Sequence, residues 1–78
     1  GIKVMASEME ATAKLYDCDL KEPVAVIMGS EDKGVYPALI KAADTLFRIP
    51  MSSNFESFNV SVAAGIILYE AMKQREIV

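Results

Sequence analysis

Val24-Ala25-Val26-Ile27-Met28-Gly29 is the stretch on which the fold turns. An unbroken apolar run rich in β-branched residues, stopped by a glycine, is the pattern of a strand buried on both faces in a parallel sheet. Downstream, Thr45-Leu46-Phe47-Arg48-Ile49 reads as another strand, closed by Pro50. Between them Pro37 fits the first turn of a short helix, where its missing N–H costs nothing, and Ala38, Leu39, Ile40, Ala42 and Ala43 continue it. Parallel strands need such a crossover, so strand, helix and strand predict a right-handed βαβ unit. Upstream, Gly1 to Ala6 reads as a short strand, and Ser7-Glu8-Met9-Glu10 has the S-x-x-E form of a capping box, opening a short helix or turn through Tyr16. The polar residues from Asp17 to Pro23 read as a surface connection. The fold class is α/β, a mostly parallel sheet with flanking helices.

A last helix is expected from about Ser57 to Arg75. From Phe58 to Met72 its apolar residues cover nearly the whole circumference, whereas a surface helix carries one stripe. One side can pack on the sheet. For the other, so small a chain has nothing left, which predicts a second copy or another segment packed there, with Ala63, Ala64 and Gly65 allowing close approach. The remaining alternative is a core helix of a larger monomer.

The chain has 78 residues, enough for one small core. With 8 Lys+Arg against 11 Asp+Glu its formal charge is -3, so the electrostatic footprint of an autonomous nucleic-acid binder is missing. Without any histidine, a Ser-His-Asp triad, a Cys-His pair and a His-ligated metal site are excluded within these residues, and no metal is expected. Cys18 excludes an internal disulfide, and the charges of Asp17 and Asp19 beside it raise its thiol pKa, the mark of an ordinary cytosolic-type cysteine. The stretch from Val60 to Tyr69 is too short to span a bilayer, so no membrane association and a cytoplasmic location are expected. Gly1 leads straight into a strand without an initiator Met, and the expectation is a piece of a longer protein.

Two segments carry candidate chemistry. Gly29-Ser30-Glu31-Asp32-Lys33-Gly34 follows a strand at its carboxyl end, where open α/β sheets place ligands. It has neither the Walker A nor the GxGxxG spacing. Two readings stand: a site in which Gly29 opens the backbone to a ligand beside the Glu31 carboxylate, or a turn with solvated charges. The second segment runs from Ile49-Pro50-Met51 to Ser57-Phe58-Asn59 at the mouth of the last helix. Ser57 and Asn59 either cap that helix or leave a carboxamide to orient a hydroxyl or a carboxylate.

Three blocks, VAVIMGSEDKGV, RIPM and SFNVSVAAGIILYEAMKQR, resemble the second and third motifs of the SpoU/TrmH family of RNA 2′-O-ribose methyltransferases, of the SPOUT class. The resemblance covers residues 24 to 75, and residues 1–20 are compatible with the part of the domain before it. It implies that residues 1–78 are the C-terminal portion of a single trefoil-knot domain. It also implies S-adenosylmethionine as cofactor, held at Gly29, Ile49 and Phe58 with Met51 nearby. Glu31, Ser57 and Asn59 match the family's polar site positions: Asn59 to orient ribose or cofactor, Ser57 to hydrogen bond beside it, Glu31 to hold the loop or a catalytic arginine. The reaction implied is methyl transfer to a ribose 2′-hydroxyl of a structured RNA, rRNA in preference to tRNA, met through N-terminal elements outside these residues. A homodimer through the last helix goes with it. Phe58 stands where the family usually has Leu, and Asp32 where Gly is common. The family's first-motif arginine has no counterpart here, since Arg48 and Arg75 belong to other positions, so little turnover is expected of these residues alone. Two other readings are a non-catalytic binding or dimerisation module of the same fold and an unrelated small nucleotide-binding domain.

Overall fold

In the computed structural model, residues 1–29, 34–50 and 60–77 are described. Three strands form one sheet in the order β2-β1-β3: β1 (Lys3–Ser7), β2 (Val24–Ile27) and β3 (Thr45–Phe47). Both pairings are parallel, with Lys3 opposite Val24 and Met5 opposite Thr45. Helix α1 (Pro37–Ala42) joins β2 to β3, and α2 (Val60–Gln74) follows β3. The parallel α/β expectation holds.

Its internal arrangement differs in four places. The opening strand, not the Val24 run, is the central one. Met5 and Ala6 on β1 are 0% exposed, whereas β2 lies at an edge of the sheet among the described residues, half-buried with Ala25 exposed. The crossover through α1 therefore passes over β1 before β3 pairs with it. Ser7 does not cap a helix. It stays in the β1 ladder opposite Phe47, and the Glu8 carboxylate instead accepts from the Glu10 amide at 3.2 Å; of the expected helix or turn, a turn forms, the Ala11 amide donating to the Glu8 carbonyl at 3.0 Å, followed by a 3₁₀ turn at Leu15–Asp17. The polar connection into β2 is no simple surface loop either, because Leu20 is fully buried. Finally, β3 stops at Phe47, two residues early. Arg48 leaves the β1 ladder and bridges to Lys14 instead.

Met5, Leu15, Leu20, Phe47 and Ile67 make the core, gathered from the sheet, the connection between β1 and β2, and α2. Full burial of such side chains contributes about 1.5–3 kcal/mol each. The connection carrying Leu20 is fastened to the end of α2 by polar contacts: Gln74 Oε1 accepts from the Leu20 amide at 2.8 Å, and its Nε2 donates to the Cys18 carbonyl at 2.9 Å. Arg75 Nε donates to the Leu20 carbonyl at 2.8 Å and its Nη2 to that of Glu22 at 3.1 Å. These bonds pin the C-terminal end of α2 near the start of β2. At the far side, Asp44 closes the start of the β1–β3 pair, its carboxylate accepting from the Val4 amide and its own amide donating to the Val4 carbonyl, both at 2.8 Å.

On α2 only Ala63 and Ile67 are buried, while Val62, Leu68 and Tyr69 are each more than half exposed. The all-round apolar pattern thus leaves an open face.

Candidate functional site

Parallel strands end together. Ser7, Ile27 and Phe47 close β1, β2 and β3 at one edge of the sheet, which brings the chain that leaves each strand to the same place. Gly29 lies two residues beyond β2 and Ile49 two beyond β3, on either side of central β1. Neighbouring strands are spaced by about 4.8 Å, so the ends of β2 and β3, from which these two positions follow, stand roughly 10 Å apart across the end of β1. That edge is where α/β sheets receive ligands.

Gly29 is fixed there by the chain itself. A Cβ on Gly29 would fall on the backbone carbonyl carbon of Gly34 and the amide of Val35, and 2.6 Å from the Gly34 Cα. The space that its missing side chain leaves is therefore occupied by the returning loop, and Gly29 is required first for this close approach. Gly34 completes the turn with φ 69°, a left-handed conformation that a side chain disfavours. Glycines at both ends of the loop thus have distinct reasons: space at Gly29, backbone angle at Gly34.

Ile49 is half-buried and packs, with Met28, against the core. The main chain just before it is held by the connection after β1. Arg48 donates its amide to the Ala13 carbonyl at 2.9 Å and accepts from the Leu15 amide at 2.8 Å. Of the residues read from the sequence, Gly29 and Ile49 are brought to one edge; Glu31, Met51, Ser57, Phe58 and Asn59 lie outside the described residues. The sequence reading missed Ser7 and Glu8, which share that edge because β1 is central. It also missed the bonding of Arg48 to residues 11–15. The first follows from strand order, which single-strand patterns do not encode; nothing in the sequence signals the second.

A concavity lies elsewhere. An open hollow of about 510 Å³ is lined by Tyr16, Cys18, Asp19, Lys21, Glu70 and Gln74 among others. It sits at the C-terminal end of α2, beside the connection between β1 and β2. Several of its polar groups already have partners. Glu70 accepts from Gln74 at 2.9 Å and pairs with Lys73 at 3.3 Å, and these two contacts, the Gln74 hydrogen bond foremost, hold its carboxyl below the usual range against the opposing effect of burial. The Cys18 thiol donates to the Lys14 carbonyl at 3.4 Å. Burial pushes its pKa up, with Lys3 opposing and Asp17 adding; the expected direction holds, but burial is the main cause and Asp19 is not among the causes. Among the described residues no cluster of His, Cys, Asp and Glu is arranged to hold a metal ion, and no helix is long and apolar enough to cross a membrane.

Comparison with known proteins places these features in context. Residues 1–69 match the family described as SpoU rRNA Methylase. The chain is 47% identical over 75 residues to the 23S rRNA (guanosine-2'-O-)-methyltransferase RlmB of Shewanella oneidensis, which covers 96% of this chain and 30% of that protein. It superposes on the crystal structure of an RNA 2'-O ribose methyltransferase with TM-score 0.90 at 40% identity, over 96% of this chain and 29% of that one. The SpoU methyltransferase AviRb of Streptomyces viridochromogenes, solved in complex with the cofactor AdoMet, gives TM-score 0.90 at 31% identity, over 96% of this chain and 28% of that one. The chain thus spans just under a third of the length of each of these three relatives.

Proposed function

We propose that this chain, which belongs to the SpoU rRNA Methylase family, forms the cofactor-binding part of an S-adenosylmethionine-dependent RNA 2′-O-ribose methyltransferase. The observation that supports this reading is that Gly29 and Ile49 follow the carboxyl ends of β2 and β3 on either side of β1 in a parallel sheet, in a family with an AdoMet-bound member of the same fold. The described residues fit such a ligand. Strand ends two spacings apart leave room for a flat, elongated nucleoside, and Ile49 and Met28, half-buried against the core, make the neighbouring main chain an apolar setting. Gly29 and Ile49 would hold it through backbone groups, with Phe58 and Met51 beside them. S-adenosylmethionine, when bound, would supply an electrophilic methyl group for a ribose 2′-oxygen. Asn59 orients the ribose or the cofactor, Ser57 hydrogen bonds next to it, and Glu31 fixes the loop. Positioning supplies much of the rate.

Several further parts belong to the same reading. The substrate is a structured RNA, rRNA in preference to tRNA, and the support is the naming of relatives such as RlmB for 23S rRNA. With a net charge of -3, these residues leave RNA affinity to other parts of the protein. A homodimer forms through α2, supported by the exposed Val62, Leu68 and Tyr69. The trefoil knot and a cytoplasmic location complete it.

The test is calorimetric titration of the intact protein with S-adenosylhomocysteine, paired with methyl incorporation into rRNA by wild type and Asn59→Ala. Binding with methylation that drops at least tenfold in the variant supports the reading. Absence of binding rejects it, and binding without methylation points to a non-catalytic module. Unchanged activity in Asn59→Ala removes the role given to that residue.

A further inference from the structure

The β1–β3 ladder ends with the Glu8 amide donating to the Phe47 carbonyl at 2.8 Å. Residues 9–13 then swing away, and the chain returns at Lys14 to pair with the very next residue of the β3 segment, Arg48. Both ends of the excursion are thus fastened to consecutive residues, Phe47 and Arg48. Its middle is fastened too: the Arg48 guanidinium reaches into it, Nε donating to the Ala11 carbonyl at 3.1 Å. With the two main-chain bonds to Ala13 and Leu15, a single residue closes the excursion from three sides.

We propose that Arg48 is a positioning residue for the cofactor crevice, holding the main chain that leads into Ile49. The proposal rests on the cofactor reading above. The physical reason is local. Regular pairing with β1 ends at Phe47, so without this clasp the chain leaving β3 would have no ladder to hold it before Ile49. The clasp extends the ordered main chain one residue further, to the edge where a backbone contact at Ile49 must be preformed to bind without an ordering cost. A half-buried guanidinium suits this task, because its planar donor group keeps its direction while the stem packs.

The experiment uses the intact protein and the variants Arg48→Met and Arg48→Lys. Arg48→Met keeps the stem and deletes the donor; Arg48→Lys restores a donor with different geometry. Expected for Arg48→Met is a rise of about tenfold in the dissociation constant of S-adenosylhomocysteine and in the KM for S-adenosylmethionine, with kcat and the KM for RNA within about twofold of wild type. Arg48→Lys recovers part of the affinity. Amide exchange at Leu15 and Arg48 quickens in Arg48→Met, the sign that the clasp has opened. A merely structural arginine would lower Tm and leave the affinity of the folded enzyme unchanged, and that result overturns the proposal. Failure of the wild type to bind S-adenosylhomocysteine rejects the cofactor reading and this proposal with it.

Discussion

Replacing Gly29 by alanine tests the geometry of the loop more sharply than any other single change. Among the described residues only Gly34 is a glycine with positive φ, so an alanine at position 29 meets no backbone-angle penalty and the objection to it is purely spatial. Its Cβ would stand 2.6 Å from the Gly34 Cα, with the Gly34 carbonyl carbon and the Val35 amide nearer still. Ordinary carbon contacts lie at about 3.5–4.0 Å, so residues 34 and 35 must retreat by roughly 1.5 Å or more. Every obstructing atom is main chain, and no side chain can swing aside. Overpacking of this kind costs about 1–3 kcal/mol, and the upper end applies here. For a domain of 150–250 residues each kcal/mol lowers Tm by about 2–4 °C, which gives a fall of roughly 6–12 °C for the intact protein. Thermal unfolding followed by circular dichroism reads this directly, with S-adenosylhomocysteine titration below the transition to report the loop. A variant within about 1 °C of wild type, binding ligand equally well, would refute the close approach of the loop to Gly29.

Three other outcomes follow from the same structure. A Cβ on Gly65 meets nothing within 4 Å, so Gly65→Ala should stabilise the chain by about 0.5–1 kcal/mol while weakening self-association in sedimentation, and unchanged association would argue against packing of a second copy on that face. Because its hydrogen bond with Gln74 and its ion pair with Lys73 depress the Glu70 pKa, the stability they add is complete above the usual glutamate value of about 4.3 and disappears as pH falls through the lowered one. The urea stability gap between wild type and Glu70→Gln, under about 1 kcal/mol, should therefore shrink on acidification, and a gap constant from pH 7 to about pH 3 would contradict this. Cys18, with its raised pKa and its bond to Lys14, should react slowly with iodoacetamide in the folded protein and rapidly in urea; fast native labelling would show that the thiol is not held as described.

The parallel α/β class was legible in the Val24 run, and Pro37 marked the first residue of α1. What composition could not convey was rank within the sheet. Lys3–Ser7 looks weaker than Val24–Ile27 as a buried strand, yet it is central because both other strands pair with it, a property of topology alone. The capping box at Ser7 failed for a related reason: a ladder bond to β3 competes with a local cap and wins. Leu20 was hidden in a polar segment, and its burial depends on Gln74 and Arg75, more than fifty residues away. At the site, Gly29 was recognised as a close-approach position, but the partner it admits is the chain's own loop. The uncovered face of α2 was readable from its all-round apolar pattern, and Leu68 and Tyr69 carry it.

The most direct measurement is a crystal structure of the intact protein with S-adenosylhomocysteine. The account predicts the nucleoside lying across the end of β1, in contact with the main chain at Gly29 and Ile49 and with Phe58. Ligand seated instead in the hollow beside Gln74, or anywhere that leaves Gly29 and Ile49 untouched, would contradict it.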